Sequence, residues 1–205
     1  YKVLNIADYV DKPFEVSKMV WKMGGCTNAA NGGLMRTSVV GTFPSVVEES
    51  AVNICRLTHY DPRCVGSCVI ISQLIHSLIY NDMGLSYHEI VDIAMKYDER
   101  IVEFVDLALS PDIRELELQD EDSVGYTLRC MSAALWVYWH AKSFVEGLLA
   151  VVRAGGDADT NAAVACAVLG ARYGYDAIPN EYKEGLVYRD QLDSVVEGLI
   201  QVFGE

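Results

Sequence analysis

Apolar residues recur at intervals of three and four along most of the chain, the spacing that gathers them on one face of an α-helix. The clearest run covers residues 86–108, where charged residues fill the opposite face. Ser86 and Glu89 stand at its start in the positions of a capping box, whose two side chains satisfy free backbone N–H groups. The pattern predicts one amphipathic helix over the whole run.

Other helices are predicted from the same spacing and from signals at their ends. Asp61 and Pro62 supply an N-cap and a first-turn proline for a helix that carries Val65 to Leu78. Another capping box, Ser143 with Glu146, opens a helix that ends at two glycines. Residues 127–140 are apolar nearly all round, which predicts a buried central helix. A last amphipathic helix spans 189–203, and we expect five of its apolar residues to point inward: Leu192, Val195, Val196, Leu199 and Ile200.

The chain as a whole has the character of an all-α protein. No alternating run is long enough to predict a strand, and no internal repeat is visible. With 205 residues, 51% apolar and 22% charged, the chain can build one substantial core. We predict a single compact multi-helix orthogonal domain over residues 1–205, with too many helices of unequal length for a simple four-helix bundle.

Charge and cysteine content restrict the partners and the compartment. A net charge of −13 opposes binding to nucleic acid or to an anionic membrane. No stretch has the ~20 consecutive apolar residues of a membrane span. A small phosphate-bearing ligand stays compatible if a divalent cation or an arginine offsets the repulsion. The six cysteines lack CxxC and zinc spacings, so we expect buried free thiols and a reducing compartment, the cytoplasm.

Candidate chemistry concentrates in the segment Gly155-Gly156-Asp157-Ala158-Asp159-Thr160. Paired glycines allow a tight turn, and a helix is predicted to begin there. Two carboxylates and a hydroxyl are hard oxygen ligands, which suit Mg²⁺ or Mn²⁺ better than zinc. The alternative is that Asp159 or Thr160 only caps the helix. A cap needs one such side chain, whereas this segment offers three.

Small residues line the helix that follows this segment. Ala163, Ala167 and Ala171 recur at every fourth position, with Cys166 and Gly170 in an adjacent stripe. Small side chains permit a short distance to a neighbouring helix. We therefore expect this helix to lie near the centre of the protein and to hold its N-terminus rigidly.

Four segments together resemble the ADP-ribosylglycohydrolase family. Gly155 to Thr160, with the helix behind it and residues 173–179, resembles the family's C-terminal signature. The run Asn31-Gly32-Gly33-Leu34-Met35-Arg36 resembles its Asn-Gly-x-x-Met-Arg loop, and residues 57–62 resemble its Thr-His element. Gly125-Tyr126, followed by residues 133–136, also matches in order and spacing. The resemblance extends from about Asn31 to Pro179.

This resemblance implies an all-α fold with a binuclear Mg²⁺ site, in which Mn²⁺ is an alternative ion. Asp157, Asp159 and Thr160 are then metal ligands, and the two aspartates are catalytic. The implied activity is hydrolysis of the glycosidic bond between ADP-ribose and a protein side chain. The partner would be an ADP-ribosylated protein or an ADP-ribose derivative. Six residues become candidate substrate contacts: Asn31, Gly32, Gly33, Arg36, His59 and Tyr126.

The sequence departs from the family pattern in one respect. The family's other metal ligands and its usual acid/base carboxylate come from an upstream Thr-Asp-Asp-Thr segment, and no Thr-Asp-Asp occurs here. We expect the chain to be the C-terminal two-thirds of a longer protein, whose missing N-terminal segment completes the site. A catalytically inactive ADP-ribose-binding or structural relative is the competing interpretation. A metal-dependent hydrolase of another nucleotide is a third.

Several of the candidate substrate contacts also have a purely structural interpretation. Arg36 suits a pyrophosphate, or it pins a loop to a backbone carbonyl. His59 is a pocket residue or a favourable charge at a helix end. Tyr126 stacks on adenine or ribose, or belongs to the core. Asn31-Gly32 approaches a ligand closely, or forms an ordinary turn.

Overall fold

Eleven α-helices form the framework of the protein in a computed structural model that describes residues 3–203, apart from the side chain of Ser123. No strand forms within this range, and an isolated antiparallel bridge joins Ala30 to Tyr126. The all-α prediction is confirmed. The helices are α1 (Pro13–Met23), α2 (Leu34–Thr37), α3 (Val47–Arg56), α4 (Pro62–Tyr80), α5 (Tyr87–Tyr97), α6 (Arg100–Leu107), α7 (Thr127–His140), α8 (Phe144–Ala154), α9 (Ala158–Tyr173), α10 (Asn180–Glu184) and α11 (Arg189–Phe203).

The core is built around α4, α7 and α9, which pack against one another. Asp61 caps α4 by accepting the N–H of Arg63 at 3.0 Å, as its sequence predicts. Helix α7 is buried nearly all round, as expected. By length and composition α4 would also pass for a membrane span, but 72% of its apolar window is buried inside the protein. Burial in the core accounts for its apolar character.

The single helix predicted over residues 86–108 is wrong, because two helices form there. The Ser86 capping box does open α5. The backbone at Asp98 then becomes extended, with φ −162° and ψ 123°. Its carboxylate accepts the N–H of Arg100 at 3.0 Å and pairs with the same residue's guanidinium. An aspartate that satisfies the free N–H groups of a new helix competes with continuation of the old one.

The C-terminal helix forms where predicted, but its apolar face does not point inward. Leu192, Val196 and Ile200 are exposed, and Val195 retains 61% of its accessible surface. Hydrophobic periodicity predicts which face of a helix is apolar. It does not show that another part of the same chain packs against that face.

Helix α9 is central, yet its small-residue stripe is not its buried face. The buried apolar residues of α9 are Val164, Val168 and Leu169, with Ala162 and Ala165 beside them. Ala163 is exposed, and a Cβ built on Gly170 would meet nothing within 4 Å. The expected contact of the alanine stripe is wrong for Ala163, whereas Ala167 and Ala171 are partly buried against the core. The branched side chains bury more apolar area and form the main buried face.

The two glycines before α9 form the turn that the sequence predicts. Gly155 and Gly156 have φ of +78° and +67°. A Cβ on Gly156 would lie 1.8 Å from the carbonyl oxygen of Leu118, so the chain passes there without room for a side chain. This contact holds the start of α9 against residues 118–119.

Substitution at Gly156 tests this turn. We expect Gly156→Ala to destabilise the protein by about 3 kcal/mol or more, since it combines a left-handed backbone with a backbone clash. Gly170→Ala is the matched control, because the added methyl meets open space within a helix and is expected to stabilise by about 0.5–1 kcal/mol. Urea unfolding of both variants measures the difference. Equal stabilities would contradict the close approach at Leu118.

Candidate active site

The N-terminus of α9 presents three oxygen-bearing side chains that do not cap the helix. Asp157 occupies the N-cap position, but its side chain makes no capping hydrogen bond. Asp159 is exposed and Thr160 is buried. Within residues 3–203, neither the Asp159 carboxylate nor the Thr160 hydroxyl has a hydrogen-bond partner. Helix capping therefore does not account for these residues.

Asn31 lies directly at this helix end. Its side-chain amide Nδ2 donates to Oδ2 of Asp157 at 2.6 Å, although the two residues are 126 positions apart. The backbone reaches this position through the Ala30–Tyr126 bridge, in which Asn31 N donates to Gly125 O and Thr127 N to Ala29 O. The bridge brings the predicted Asn-Gly loop and the predicted metal ligands together.

The glycines after Asn31 pack closely on His59. A Cβ on Gly33 would lie 3.2 Å from the Cys55 Sγ and from Cγ of His59. A Cβ on Gly32 would lie 3.4 Å from Nε2 of the imidazole. A side chain at Gly33 would require His59 or the Cys55 thiol to shift by a few tenths of an ångström, whereas Gly32 borders the ring at an ordinary contact distance. The structure thus brings Gly32, Gly33 and His59 together as neighbours.

His59 is held as a neutral imidazole. Its Nδ1 lies 2.7 Å from the Thr58 hydroxyl. Burial, together with the smaller effect of the nearby positive charge of Arg36, lowers the pKa of His59 to about 4. At neutral pH the ring therefore offers a hydrogen-bonding nitrogen without a positive charge.

Arg36 links the Asn-Gly loop to the segment that carries His59. Its guanidinium donates to the carbonyl of Gly32 at 3.2 Å and to the Thr58 hydroxyl at 2.6 Å. It also donates to the Ile54 carbonyl at 3.1 Å, near the C-terminus of α3 where carbonyls lack intrahelical partners. This is the loop-pinning arrangement that the sequence left open. The residue is exposed beside His59, and a pyrophosphate contact stays a prediction.

Tyr126 stands at the other end of the bridge and is partly buried. Its ring meets Phe104 edge-on with centroids 5.5 Å apart, and its hydroxyl accepts from Arg63 Nη1 at 3.2 Å. An open groove of about 420 Å³ lies beside it, lined by Thr27, Asn28, Ala29, Ala30, Asp122, Val124, Gly125 and Tyr126. A Cβ on Gly125 would be 3.9 Å from Oδ2 of Asp157, so the groove borders the end of α9.

Two buried thiols donate hydrogen bonds to backbone carbonyls next to the Asn-Gly loop and at His59. Cys64 Sγ donates to the Ala30 carbonyl at 3.4 Å, and Cys55 Sγ to the His59 carbonyl at 3.5 Å. Burial raises the pKa of Cys64, while a hydrogen bond with Cys68 and burial raise that of Cys55. All six cysteines are free, and four of them are buried. These thiols act as protonated donors within the core.

Sequence reasoning missed the role of one residue, Arg63. It treated Asp61 only as an N-cap. In the structure Asp61 and Arg63 form a buried ion pair at 2.8 Å. Asp61 also accepts a hydrogen bond from Trp21, and Arg63 donates one to the Tyr126 hydroxyl. An Asp-x-Arg spacing was visible, but it recurs at residues 98–100 and 112–114, and nothing in the sequence marks which copy is buried.

The donor set at α9 fits part of a divalent cation site. Mg²⁺ prefers oxygen ligands and keeps several waters, so two carboxylates and a hydroxyl suit it. Their freedom from capping and, for Asp159 and Thr160, from any other hydrogen bond within residues 3–203 leaves them available. Across the part of the chain that the structure describes, no group of three or more His, Cys, Asp or Glu residues is arranged to hold a metal. The three donors would therefore be part of a coordination sphere.

The pKa of His59 predicts a pH effect on stability. Its folded value of about 4 lies below the ordinary value near 6.5. Between these pH values the unfolded chain binds more protons, so stability falls as the pH drops from 6.5 towards 4. His59→Gln removes this contribution. We expect the difference in unfolding free energy between wild type and variant to change by about 1 kcal/mol per pH unit in that window.

Urea unfolding at several pH values measures this difference, and imidazole NMR signals follow the titration directly. Parallel pH profiles for the two proteins, or titration of His59 near pH 6.5, would contradict the buried neutral ring.

Comparison with known proteins gives the site a context. The chain is 26% identical over 151 residues to the ADP-ribosylarginine hydrolase Tri1 of Serratia proteamaculans (strain 568), covering 72% of this chain and 39% of that protein. It is 27% identical over 157 residues to the ADP-ribosyl-[dinitrogen reductase] glycohydrolase of Rhodospirillum rubrum, covering 75% and 49%. The chain thus spans half or less of the length of these two relatives.

A solved structure shares the fold. A chain described as "ADP-ribosylglycohydrolase-related protein complex" superposes with a TM-score of 0.69 at 22% identity, covering 90% of this chain and 66% of that one. The sequence also matches the family model described as ADP-ribosylglycohydrolase over residues 4–205, nearly its whole length. The chain belongs to the ADP-ribosylglycohydrolase family.

Proposed function

We propose that this protein hydrolyses the glycosidic bond that links ADP-ribose to a protein side chain, with arginine as the modified residue. The observation that carries the proposal is the contact of Asn31 with Asp157, which joins the Asn-Gly loop to the oxygen-bearing side chains at the start of α9. The two named relatives lend support for the substrate class. One is named for ADP-ribosylarginine and the other for ADP-ribosylated dinitrogen reductase.

In this proposal Asp157, Asp159 and Thr160 hold part of the coordination of Mg²⁺, with Mn²⁺ as a substitute and two ions in the complete site. When bound, the metal supplies Lewis acidity next to the ribose and its attacking water. Asn31 keeps one carboxylate oxygen of Asp157 in place by its 2.6 Å hydrogen bond. An amide that orients a ligating carboxylate in this way serves as an outer-shell partner.

The substrate residues have separate tasks. Gly32 and Gly33 let the backbone approach the ligand without steric obstruction. His59 offers its Nε2 as a neutral hydrogen-bonding group, since its pKa lies near 4. Arg36 adds positive charge against the pyrophosphate, which the net charge of −13 would otherwise repel. Tyr126 provides a ring face at the groove for adenine or ribose.

The two aspartates also act on the reaction itself. Departure of the leaving group places oxocarbenium-like positive charge on the ribose. Carboxylates next to that sugar stabilise the developing charge, and the hydrogen bond from Asn31 preorganises Asp157 for this role. The proposal assigns charge stabilisation to Asp157 and Asp159. Proton transfer is assigned to a carboxylate of the upstream family segment, whose Thr-Asp-Asp pattern does not occur in this sequence.

A protein that binds ADP-ribose without cleaving it is the second candidate. It is favoured by the lack of a Thr-Asp-Asp motif and of a larger metal-binding cluster among the described residues. Such a protein would keep the Asn-Gly loop, His59 and the groove, and it would give no product with either metal.

Replacement of Asp159 tests the catalytic proposal. Its side chain is exposed and makes no hydrogen bond within residues 3–203, so Asp159→Asn is expected to leave the melting temperature unchanged. Hydrolysis of ADP-ribosylated arginine with Mg²⁺ should fall by about two orders of magnitude or more. Release of ADP-ribose, followed by chromatography, measures this.

The matched control is Asp190→Asn, which removes an exposed carboxylate in the first turn of α11. It should retain wild-type rates. Full activity of Asp159→Asn would refute the assignment. ADP-ribose binding by the wild type without any product would favour the second candidate.

A further inference from the structure

Three helical segments of this protein begin with the same local ion pair. In each, an aspartate accepts the backbone N–H of an arginine two residues later at 3.0 Å and also binds its guanidinium. The pairs are Asp61 with Arg63, Asp98 with Arg100, and Asp112 with Arg114. Capping of a helix start explains the shared geometry.

Burial separates the first pair from the others. Asp61 is 1% exposed and Arg63 is 8% exposed, whereas the side chain of Arg114 is 86% exposed. Burying two charges is costly unless further hydrogen bonds satisfy them. In the other two pairs the arginine side chains are 55% and 86% exposed, so capping does not require a buried arginine, and the burial of Arg63 has another cause.

Arg63 differs from its counterparts by its additional hydrogen bonds. Its Nη2 donates to the Thr27 carbonyl at 2.9 Å, and its Nη1 to the Tyr126 hydroxyl at 3.2 Å. Within residues 3–203, Arg100 and Arg114 donate side-chain hydrogen bonds only to their own aspartates. The indole N–H of Trp21 donates to Oδ2 of Asp61 at 3.0 Å, which fixes the orientation of the carboxylate.

The two extra acceptors are located on both sides of the Ala30–Tyr126 bridge. Thr27 leads into the segment that ends at Asn31, and Tyr126 is itself a bridge residue. The Arg63 guanidinium therefore binds both backbone segments of the bridge. The pairing of these two segments brings Asn31 to Asp157. The same bond fixes the ring of Tyr126 at the groove.

We propose that Arg63 is a positioning residue of the ADP-ribose site, which acts by holding Thr27 and Tyr126 at fixed places around the Asn31–Asp157 contact. This inference rests on the proposed function and deepens it. It assigns to the site a buried side chain that does not touch the substrate.

The experiment compares Arg63→Lys with the control Arg114→Lys. Lysine keeps the positive charge beside the aspartate but lacks the planar fork that reaches several acceptors at once. The affinity for ADP-ribose and the number of binding sites are measured by calorimetry in Mg²⁺, well below the melting temperature of each variant. Arg63→Lys is expected to bind more than about tenfold more weakly at unchanged stoichiometry, since hydrogen bonds to a charged group are lost. Arg114→Lys should bind as the wild type does.

A merely structural role would lower the melting temperature or the number of competent sites and leave the affinity of the folded molecules unchanged. That result would overturn the inference. If Arg63→Lys does not fold, Trp21→Phe replaces it, because this variant removes the indole N–H bound to Asp61 and keeps an aromatic ring next to Tyr60. Its affinity should fall by about threefold, and an unchanged affinity would overturn the positioning role.

The wild-type protein separates this inference from the function on which it rests. If the wild type does not bind ADP-ribose, the proposed function fails and the role of Arg63 fails with it. If the wild type binds and Arg63→Lys binds equally well, only the positioning role is overturned.

Discussion

The hydrogen bond between Asn31 and Asp157 is the interaction on which the arrangement of this site depends. It joins residues 126 positions apart at 2.6 Å, and it involves a charged acceptor in a partly buried setting, where such bonds are strong. It forms because two backbone features meet at one place. The Ala30–Tyr126 bridge brings in the amide, and the turn at Gly156 delivers the carboxylate.

The charges around the site determine which ligands it can bind. The protein carries a net charge of −13, so an anionic sugar nucleotide needs local compensation. Arg36 supplies positive charge at one end, and the oxygen donors of α9 suit a divalent cation at the other. His59 lies beside the loop as a neutral ring, because its burial disfavours the protonated form. Under the proposed function, an anionic ligand would be bound at this small part of an otherwise acidic protein.

Local signals in the sequence predicted the helices well and their surroundings less well. Asp61 with Pro62 and the Ser86 box open helices as expected, because caps act within a few residues. Asp98 breaks the predicted long helix, since its carboxylate accepts the N–H of Arg100 at the start of a new helix. The grouping of Asp157, Asp159 and Thr160 was visible because they are neighbours in sequence. The roles of Asn31 and Arg63 depend on contacts across the fold, which neither periodicity nor family motifs reveal.

The most direct test of the proposed metal site is a crystal structure of the protein grown with ADP-ribose and Mn²⁺, with anomalous data to locate the metal. We expect an anomalous peak within coordination distance of Asp157, Asp159 and Thr160, with the Asn31 amide still bonded to Asp157. A peak elsewhere, or Asp157 turned away from Asn31 to cap the backbone of α9, would contradict it.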